Sequence, residues 1–219
     1  DDFKAVFIAT GAHKATSLAV SGEENPNVLA GVDFLRNLNM GRSVALGDTV
    51  AVVGGGNVAV DSARSAIRAG AKKVIVLYRR TKEEMPAMEE EILQMEEEGI
   101  TLHLLVSPIK IVSEGEALKG IECIKNKLGE PDKSGRRRPV PVEGSEFFIN
   151  CDTVISAIGQ KCDVLYAQKN GIETTEWATV KVDNETLTTN LPGVFAGGDV
   201  ASGPADVIKA VAHGKIAAA

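Results

Sequence analysis

The 219-residue chain carries 44% hydrophobic and 25% charged residues, ordinary proportions for a globular protein that exclude disorder and collagen-like repeats. Its formal net charge of −6 argues against general nucleic-acid affinity, which needs a basic face to displace phosphate counterions. No apolar run approaches the ~20 residues that span a bilayer, the opening Asp1-Asp2-Phe3-Lys4 lacks signal-peptide character, and the odd set Cys123, Cys151 and Cys162 fits reduced thiols in a cytoplasmic protein better than a disulfide framework or metal site.

Residues 4–9 form an apolar strand that runs into the turn Thr10-Gly11-Ala12. A short helix is expected over 33–40, a strand over 48–53, a helix over 57–69 closed by Gly70, and a strand over 73–78. Residues 86–98 read as a third helix, with Pro86 in its first position, Gly99 just past its end, and Met88, Ile92 and Met95 on one apolar face. Its glutamates, at 89–91 and 96–98, read as a solvated face. A strand over 100–106 completes a strand–helix–strand–helix–strand run, which implies a parallel sheet with right-handed crossovers. The pattern then changes. Residues 109–113, 118–125 and 139–149 are strands separated by Gly-containing turns, an antiparallel meander, and 152–157 returns as a buried strand ending in Ile158-Gly159-Gln160. From Asp206 to Ala219 a helix carries Val207, Ile208, Val211 and Ile216 at helical spacing and meets no stop signal. A strand at one terminus and an unterminated helix at the other read as cuts through a longer polypeptide. The fold class expected is α/β, a Rossmann-like domain with a central parallel sheet and an antiparallel meander.

The strongest chemical signal lies between the strand at 48–53 and the helix after it. Gly54, Gly56 and Ala59 fit G-x-G-x-x-A within Gly54-Gly55-Gly56-Asn57-Val58-Ala59. Gly54 permits the tight turn, Gly56 lets backbone amides approach a pyrophosphate, and the small Ala59 lets the helix pack on the strand. The helix N-terminus adds partial positive charge, so this segment is expected to bind a dinucleotide.

Which dinucleotide is decided at the end of the second strand. An NAD site places an acidic residue there for the ribose 2′-hydroxyl; this strand ends in Arg79-Arg80, with Arg79 23 residues after Gly56. Two guanidiniums suit a 2′-phosphate, so NADPH is expected over NADH; the alternative is surface pairing of both with Glu83 or Glu84. Tyr78-x-x-x-Lys82 imitates the catalytic pair of short-chain dehydrogenases, but that pair requires a helix, and Tyr78 ends a strand.

In order along the chain stand Gly54-Gly55-Gly56-Asn57-Val58-Ala59-Val60-Asp61, Tyr78-Arg79-Arg80, Met85-Pro86-Ala87, Gly135-Arg136-Arg137-Arg138-Pro139, Ala157-Ile158-Gly159-Gln160 and Phe195-Ala196-Gly197-Gly198-Asp199. With this set the chain resembles, over nearly its whole length, the small subunit of NADPH-dependent glutamate synthase and its pyridine nucleotide-disulfide oxidoreductase-like relatives. Those include the flavin segment of dihydropyrimidine dehydrogenase and the larger subunit of bifurcating NADH-dependent ferredoxin:NADP oxidoreductase. The resemblance implies an NADPH domain over 41–159 inserted in an FAD domain, with 1–40 and 160–219 as parts of the latter. It implies that Gly198-Asp199 meets the FAD ribityl chain, that the helix from Asp206 aims its N-terminus at the flavin, and that Ile158, Gly159 and Gln160 lie near the cofactors. It also implies hydride exchange between NADPH and FAD, with electrons passing through iron–sulfur clusters to a partner subunit.

The chain departs from that family in lacking the earlier glycine loop for the FAD pyrophosphate and the cysteine-rich iron–sulfur segments. FAD is therefore expected to bind weakly or not at all to these residues alone. No protein acid or base is assigned, because the cofactors perform the chemistry. Two rivals remain at this point. One is an NADPH-holding module without redox activity; the other is an autonomous dehydrogenase, for which no positioned acid–base group is visible. Arg136-Arg137-Arg138 reads as a solvated loop whose role, structural or partner-docking, is open. His13, His103 and His213 show no ligand spacing.

Overall fold

The computed structural model describes residues 3–132 and 135–219; Asp1-Asp2, part of the signal-peptide reading, lies outside the described residues. The chain divides into two compact units, Asp1–Lys14 with Gln160–Ala219, and Ala15–Gly159. The first unit opens with β1 (Val6–Ile8), and β2 (Lys14–Ala15) holds the first boundary. The larger unit begins with β3 (Val28–Ala30), α1 (Gly31–Asn39), β4 (Thr49–Val53), α2 (Asn57–Arg68), β5 (Lys73–Tyr78), α3 (Glu89–Glu97) and β6 (Thr101–Leu104). It continues with β7 (Val106–Glu114), β8 (Ala117–Pro131), β9 (Arg137–Pro141), β10 (Phe147–Asn150) and β11 (Thr153–Ser156). After β12 (Gln160–Lys161) the first unit resumes with α4 (Leu165–Lys169), β13 (Val194–Ala196), α5 (Asp199–Ser202) and α6 (Val207–Ala217).

Five strands make the parallel sheet of the larger unit, in the order β3-β11-β4-β5-β6. Successive strand residues face opposite sides, and here each side has its own core. Val50, Val52, Val74, Val76 and Ile155 join Phe34, Val60, Ile92 and Met95 under the helices. Ala51, Val53, Ile75, Leu77 and Val154 join Val106, Ile111, Ile121, Cys123 and Ile149 of the meander. A sheet covered on both faces needs apolar residues at every position, which is why β4 and β5 read as unbroken apolar runs.

The meander differs from its expected outline. The stretch 139–149 is two strands, β9 and β10, and each pairs with a different part of the long β8. A turn separates them, with Gly144 at φ +75 and the Ser145 hydroxyl donating to the Val142 carbonyl. The strand expected over 100–106 is interrupted at Leu105, whose φ of +57 redirects the chain from the parallel sheet into β7. The third helix begins at Glu89, not Pro86. Residues 86–88 instead pass the glycine loop, the Ala87 amide donating to the Gly55 carbonyl at 3.2 Å. Met88 is still extended at the helix N-cap, and its side chain is 65% exposed, so only Ile92 and Met95 form the buried face.

Residues 15–40, expected with the flanking segment, fold into the larger unit, because β3 pairs with β11 and α1 packs on α2. In the first unit β1 and β13 pair in parallel, above a core of Ala12, Cys162, Val164, Ala167, Ile172, Val180, Ala196 and Val200. Among the described residues no helix is long and apolar enough to cross a membrane.

All three cysteines are free and buried. Burial pushes the Cys123 and Cys151 thiols up to about 12, and burial followed by the Asp199 charge raises Cys162. A thiol is alkylated only as thiolate, so iodoacetamide at neutral pH should leave all three unmodified in the folded chain and modify all three in denaturant. Native-state labelling of Cys123 or Cys151, read by mass spectrometry, would contradict the core beneath the meander.

Candidate functional site

The β11 strand comes last in the larger unit yet lies between β3 and β4, so chain order reverses where β11 meets β4. In open α/β sheets ligands bind outside the carboxyl ends of strands at such a reversal. Here those ends carry Ala157-Ile158-Gly159 and Gly54-Gly55-Gly56.

The three glycines serve different contacts. Gly54 has φ +147, and a Cβ there would stand 2.3 Å from the Ala157 carbonyl oxygen and 3.2 Å from the Ala59 Cβ. Its missing side chain lets two strand ends and the start of α2 meet. At Gly55 a Cβ would enter the Tyr78 ring at 2.4 Å. Gly56 is different: the nearest atom to a Cβ would be the Pro86 Cγ at 3.6 Å, so the protein's own packing leaves that space open. Gly56 is the N-cap of α2, no side chain caps this end, and the first turn holds no acidic residue. The amides of Asn57 and Val58 thus begin a helix that presents partial positive charge to an open surface.

The structure separates the two arginines at the end of β5. Both lie in the bend that follows β5. Arg79 is exposed, and its guanidinium makes no hydrogen bond or ion pair among the described residues. Burial lowers its pKa from the ordinary arginine value, and the charges of Arg80 and Arg136 lower it further. Arg80 is 3% exposed; its Nη2 meets Asp132 Oδ2 at 2.6 Å and its Nε donates to the Arg137 carbonyl at 2.7 Å. The surface pairing of Arg80 with Glu83 or Glu84 does not form.

Glu84 instead caps the short turn Lys82–Glu84 through Thr81 and receives the Arg137 Nε at 2.7 Å. The Thr81 hydrogen bond, and after it Arg137, hold its carboxyl below the usual range against burial. The Tyr78 hydroxyl donates to the Glu84 carbonyl at 2.6 Å and Lys82 meets Glu96 at 2.7 Å, so Tyr78 and Lys82 are not a catalytic pair. Thr81-x-x-Glu84 is a capping-box pattern legible in sequence, and it would have marked this turn beforehand.

Ile158 and Gly159, expected near the cofactors, follow β11, whose end lies beside the glycine loop. The Ala157 amide donates to the Val53 carbonyl at 2.8 Å, Ile158 is exposed, and Gly159, at φ +129, accepts from the Thr16 amide at 3.0 Å. Gln160 lies in the other unit. Gly198 and Asp199 are also in that unit, at the start of α5, where Gly198 has φ +65. The Ala205 amide donates to Asp199 Oδ1 at 3.2 Å, and Oδ2 has no partner among the described residues. His213, with no ligand spacing in sequence, accepts the Gly198 amide on Nδ1 at 2.9 Å, a contact that pins the Gly198 turn. No sequence signal marks it, because the two residues lie on separate elements. Among the described residues no group of His, Cys, Asp or Glu is arranged to hold a metal ion.

Comparison with known proteins agrees with this geometry. Residues 1–214 match the pyridine nucleotide-disulphide oxidoreductase family. The chain is 51% identical to the NADP(+)-dependent formate dehydrogenase subunit beta of Moorella thermoacetica, over 99% of this chain and 31% of that protein. It is 36% identical to the glutamate synthase [NADPH] small chain of Azospirillum brasilense, over 98% of this chain and 47% of that protein. Mycobacterium tuberculosis FprA, solved in complex with NADPH, superposes with a TM-score of 0.79 at 18% identity, over 99% of this chain and 62% of that one. The chain thus spans about a third to a half of the length of these two curated relatives.

Two glycine substitutions separate packing from binding. Gly54→Ala should destabilise the fold by ~2 kcal/mol or more, since a strained φ and an overpacked contact each cost ~1–3 kcal/mol. Gly56→Ala should stay within ~1 kcal/mol of the parent, the cost of a poorer N-cap. It should nevertheless lose dinucleotide affinity by ~10-fold or more, a methyl group then standing where the pyrophosphate approaches. Denaturant unfolding and titration on the same samples measure both.

Proposed function

The chain belongs to the pyridine nucleotide-disulphide oxidoreductase family, and from that premise we propose that Ala15–Gly159 is the NADPH-binding domain of an FAD- and iron–sulfur-dependent oxidoreductase. On this reading Asp1–Lys14 with Gln160–Ala219 is part of its FAD domain. When bound, the two cofactors supply the redox chemistry, hydride exchange between nicotinamide and flavin. The observation that carries the nucleotide assignment is the pair formed by an open Gly56 cradle and an exposed, unpartnered Arg79 at neighbouring strand ends.

The residues present fit both groups. Asn57 and Val58 amides at the α2 terminus receive the pyrophosphate, and Arg79, already in a cationic neighbourhood, gains most from a 2′-phosphate. Ile158 and Gly159 flank the same crevice. In the other unit the free Oδ2 of Asp199 suits a ribityl hydroxyl, His213 fixes the turn that presents it, and Gln160 is assigned to the cofactor edge. No side chain of this chain is asked to donate or accept a proton; its work is to bind and orient.

The acceptor side is a separate matter. The glutamate synthase relative is less similar than the formate dehydrogenase subunit, and both names specify NADP or NADPH. NADPH handling is therefore the common element we assign, with electrons passing to a partner subunit. A glutamate synthase large subunit is one candidate partner. The higher identity to the formate dehydrogenase subunit favours a second, in which this subunit couples NADP to another redox enzyme.

Calorimetric titration with NADPH and NADH at one ionic strength tests the reading. A charge-assisted phosphate contact is worth ~1.5–3 kcal/mol, so NADPH should bind at least ~10-fold tighter. Arg79→Ala should abolish that preference while leaving NADH affinity alone. Equal affinity for the two nucleotides in the parent protein would refute the 2′-phosphate assignment.

A further inference from the structure

A groove runs beside the glycine loop between two elements far apart in sequence. Glu83, Glu84, Met85 and Pro86 form one wall, and Gly135, Arg136 and Arg137 at the tip of the β8–β9 hairpin form the other. Pro86 is also the nearest neighbour of a Cβ built on Gly56, at 3.6 Å, so one wall of the groove adjoins the glycine turn. The hairpin tip is tied to the parallel sheet at two points. Arg80, at the end of β5, reaches Asp132 and the Arg137 carbonyl, and Arg137 reaches Glu84.

The first tie is a buried ion pair. Such pairs contribute little net stability, because desolvation offsets their attraction, but their directional hydrogen bonds fix geometry. What this one fixes is the place of Gly135 and Arg136 close to the end of β5. Burial lowers the Arg79 pKa most, and the charges of Arg80 and then Arg136 lower it further, in keeping with that placement. Arg79, Arg80 and Arg136 bring three cationic side chains to this end of the sheet, with Arg80 paired to Asp132.

We propose that the β8–β9 hairpin is the second jaw of the 2′-phosphate site, with Arg136 meeting the phosphate opposite Arg79 and the Arg80–Asp132 pair positioning the hairpin without touching the nucleotide. The proposal rests on the NADPH reading above. It gives the Gly135-Arg136-Arg137-Arg138 loop a function and divides the Arg79-Arg80 pair into a ligand and an anchor.

The test measures NADPH and NADH affinities of the intact protein at fixed ionic strength. Arg136→Gln should weaken NADPH by ~10-fold or more and NADH by less than ~2-fold, as expected for a contact to the extra phosphate alone. Arg138→Gln, exposed on the same hairpin but outside the groove, should change neither. Asp132→Asn gives the sharper sign. Removal of a negative charge near a phosphate would by Coulomb's law alone tighten NADPH, whereas loss of a positioning residue weakens it. We expect weaker NADPH, unchanged NADH, and faster tryptic cleavage at the hairpin tip. Because Arg136 is exposed, Arg136→Gln decides the question even where Asp132→Asn disturbs folding. An unchanged NADPH-to-NADH ratio in Arg136→Gln, or tighter NADPH binding in Asp132→Asn, overturns the proposal. If Arg79→Ala still abolishes the preference in that case, the 2′-phosphate reading survives; if the parent shows no preference, that reading is what fails.

Discussion

A side chain on Gly54 would stand 2.3 Å from the Ala157 carbonyl, and the meeting of β4, β11 and α2 depends on its absence. Two adjacent parallel strands, β4 and β11, can end together only if the turn after one passes directly over the end of the other. The same missing atom admits Ala59, so α2 starts immediately against the strand instead of standing off it. Its first amides then open onto the crevice at the chain-order reversal. Gly55 extends the arrangement sideways: the Tyr78 ring occupies the space its side chain would take, which locks the end of β5, and with it Arg79, beside the loop.

Charge is distributed around this loop with a division of labour. The helix terminus provides partial positive charge from backbone groups, which cannot be titrated. Arg79 provides a full charge at the surface, raised in energy by its cationic neighbours. Arg80 and Glu84 are buried or nearly so, and each is matched by a partner, Asp132 and Arg137, on the hairpin. The two pairs join the segment after β5 to the hairpin of β8 and β9.

The smaller unit shows the same economy of local fixing on a weaker frame. Its sheet has two strands, and α6 buries none of its side chains, with Val207 78% exposed. Yet the Gly198 turn is held from two sides, by His213 on its amide and by the Ala205 amide on Asp199. Rigidity is concentrated at the residues assigned to the flavin, in a unit with a small core.

The sequence by itself determined what depends on neighbours along the chain. Alternation and apolar runs showed the parallel sheet and the meander, and the glycine spacing marked the tight turn between β4 and α2, because periodicity and turn chemistry are local properties. Positive-φ residues moved the edges: Gly144 split one strand into β9 and β10, and Leu105 cut another short. Only the tertiary structure decided which of two adjacent arginines stays exposed. Arg80 finds Asp132 at a separation of 52 residues, a pairing that no window of sequence contains. It likewise drew residues 15–40 into the larger unit, since β3 finds its partner in β11, more than a hundred residues later. Pairing across such distances is set by the packing of whole layers, not by any pattern that a local segment carries.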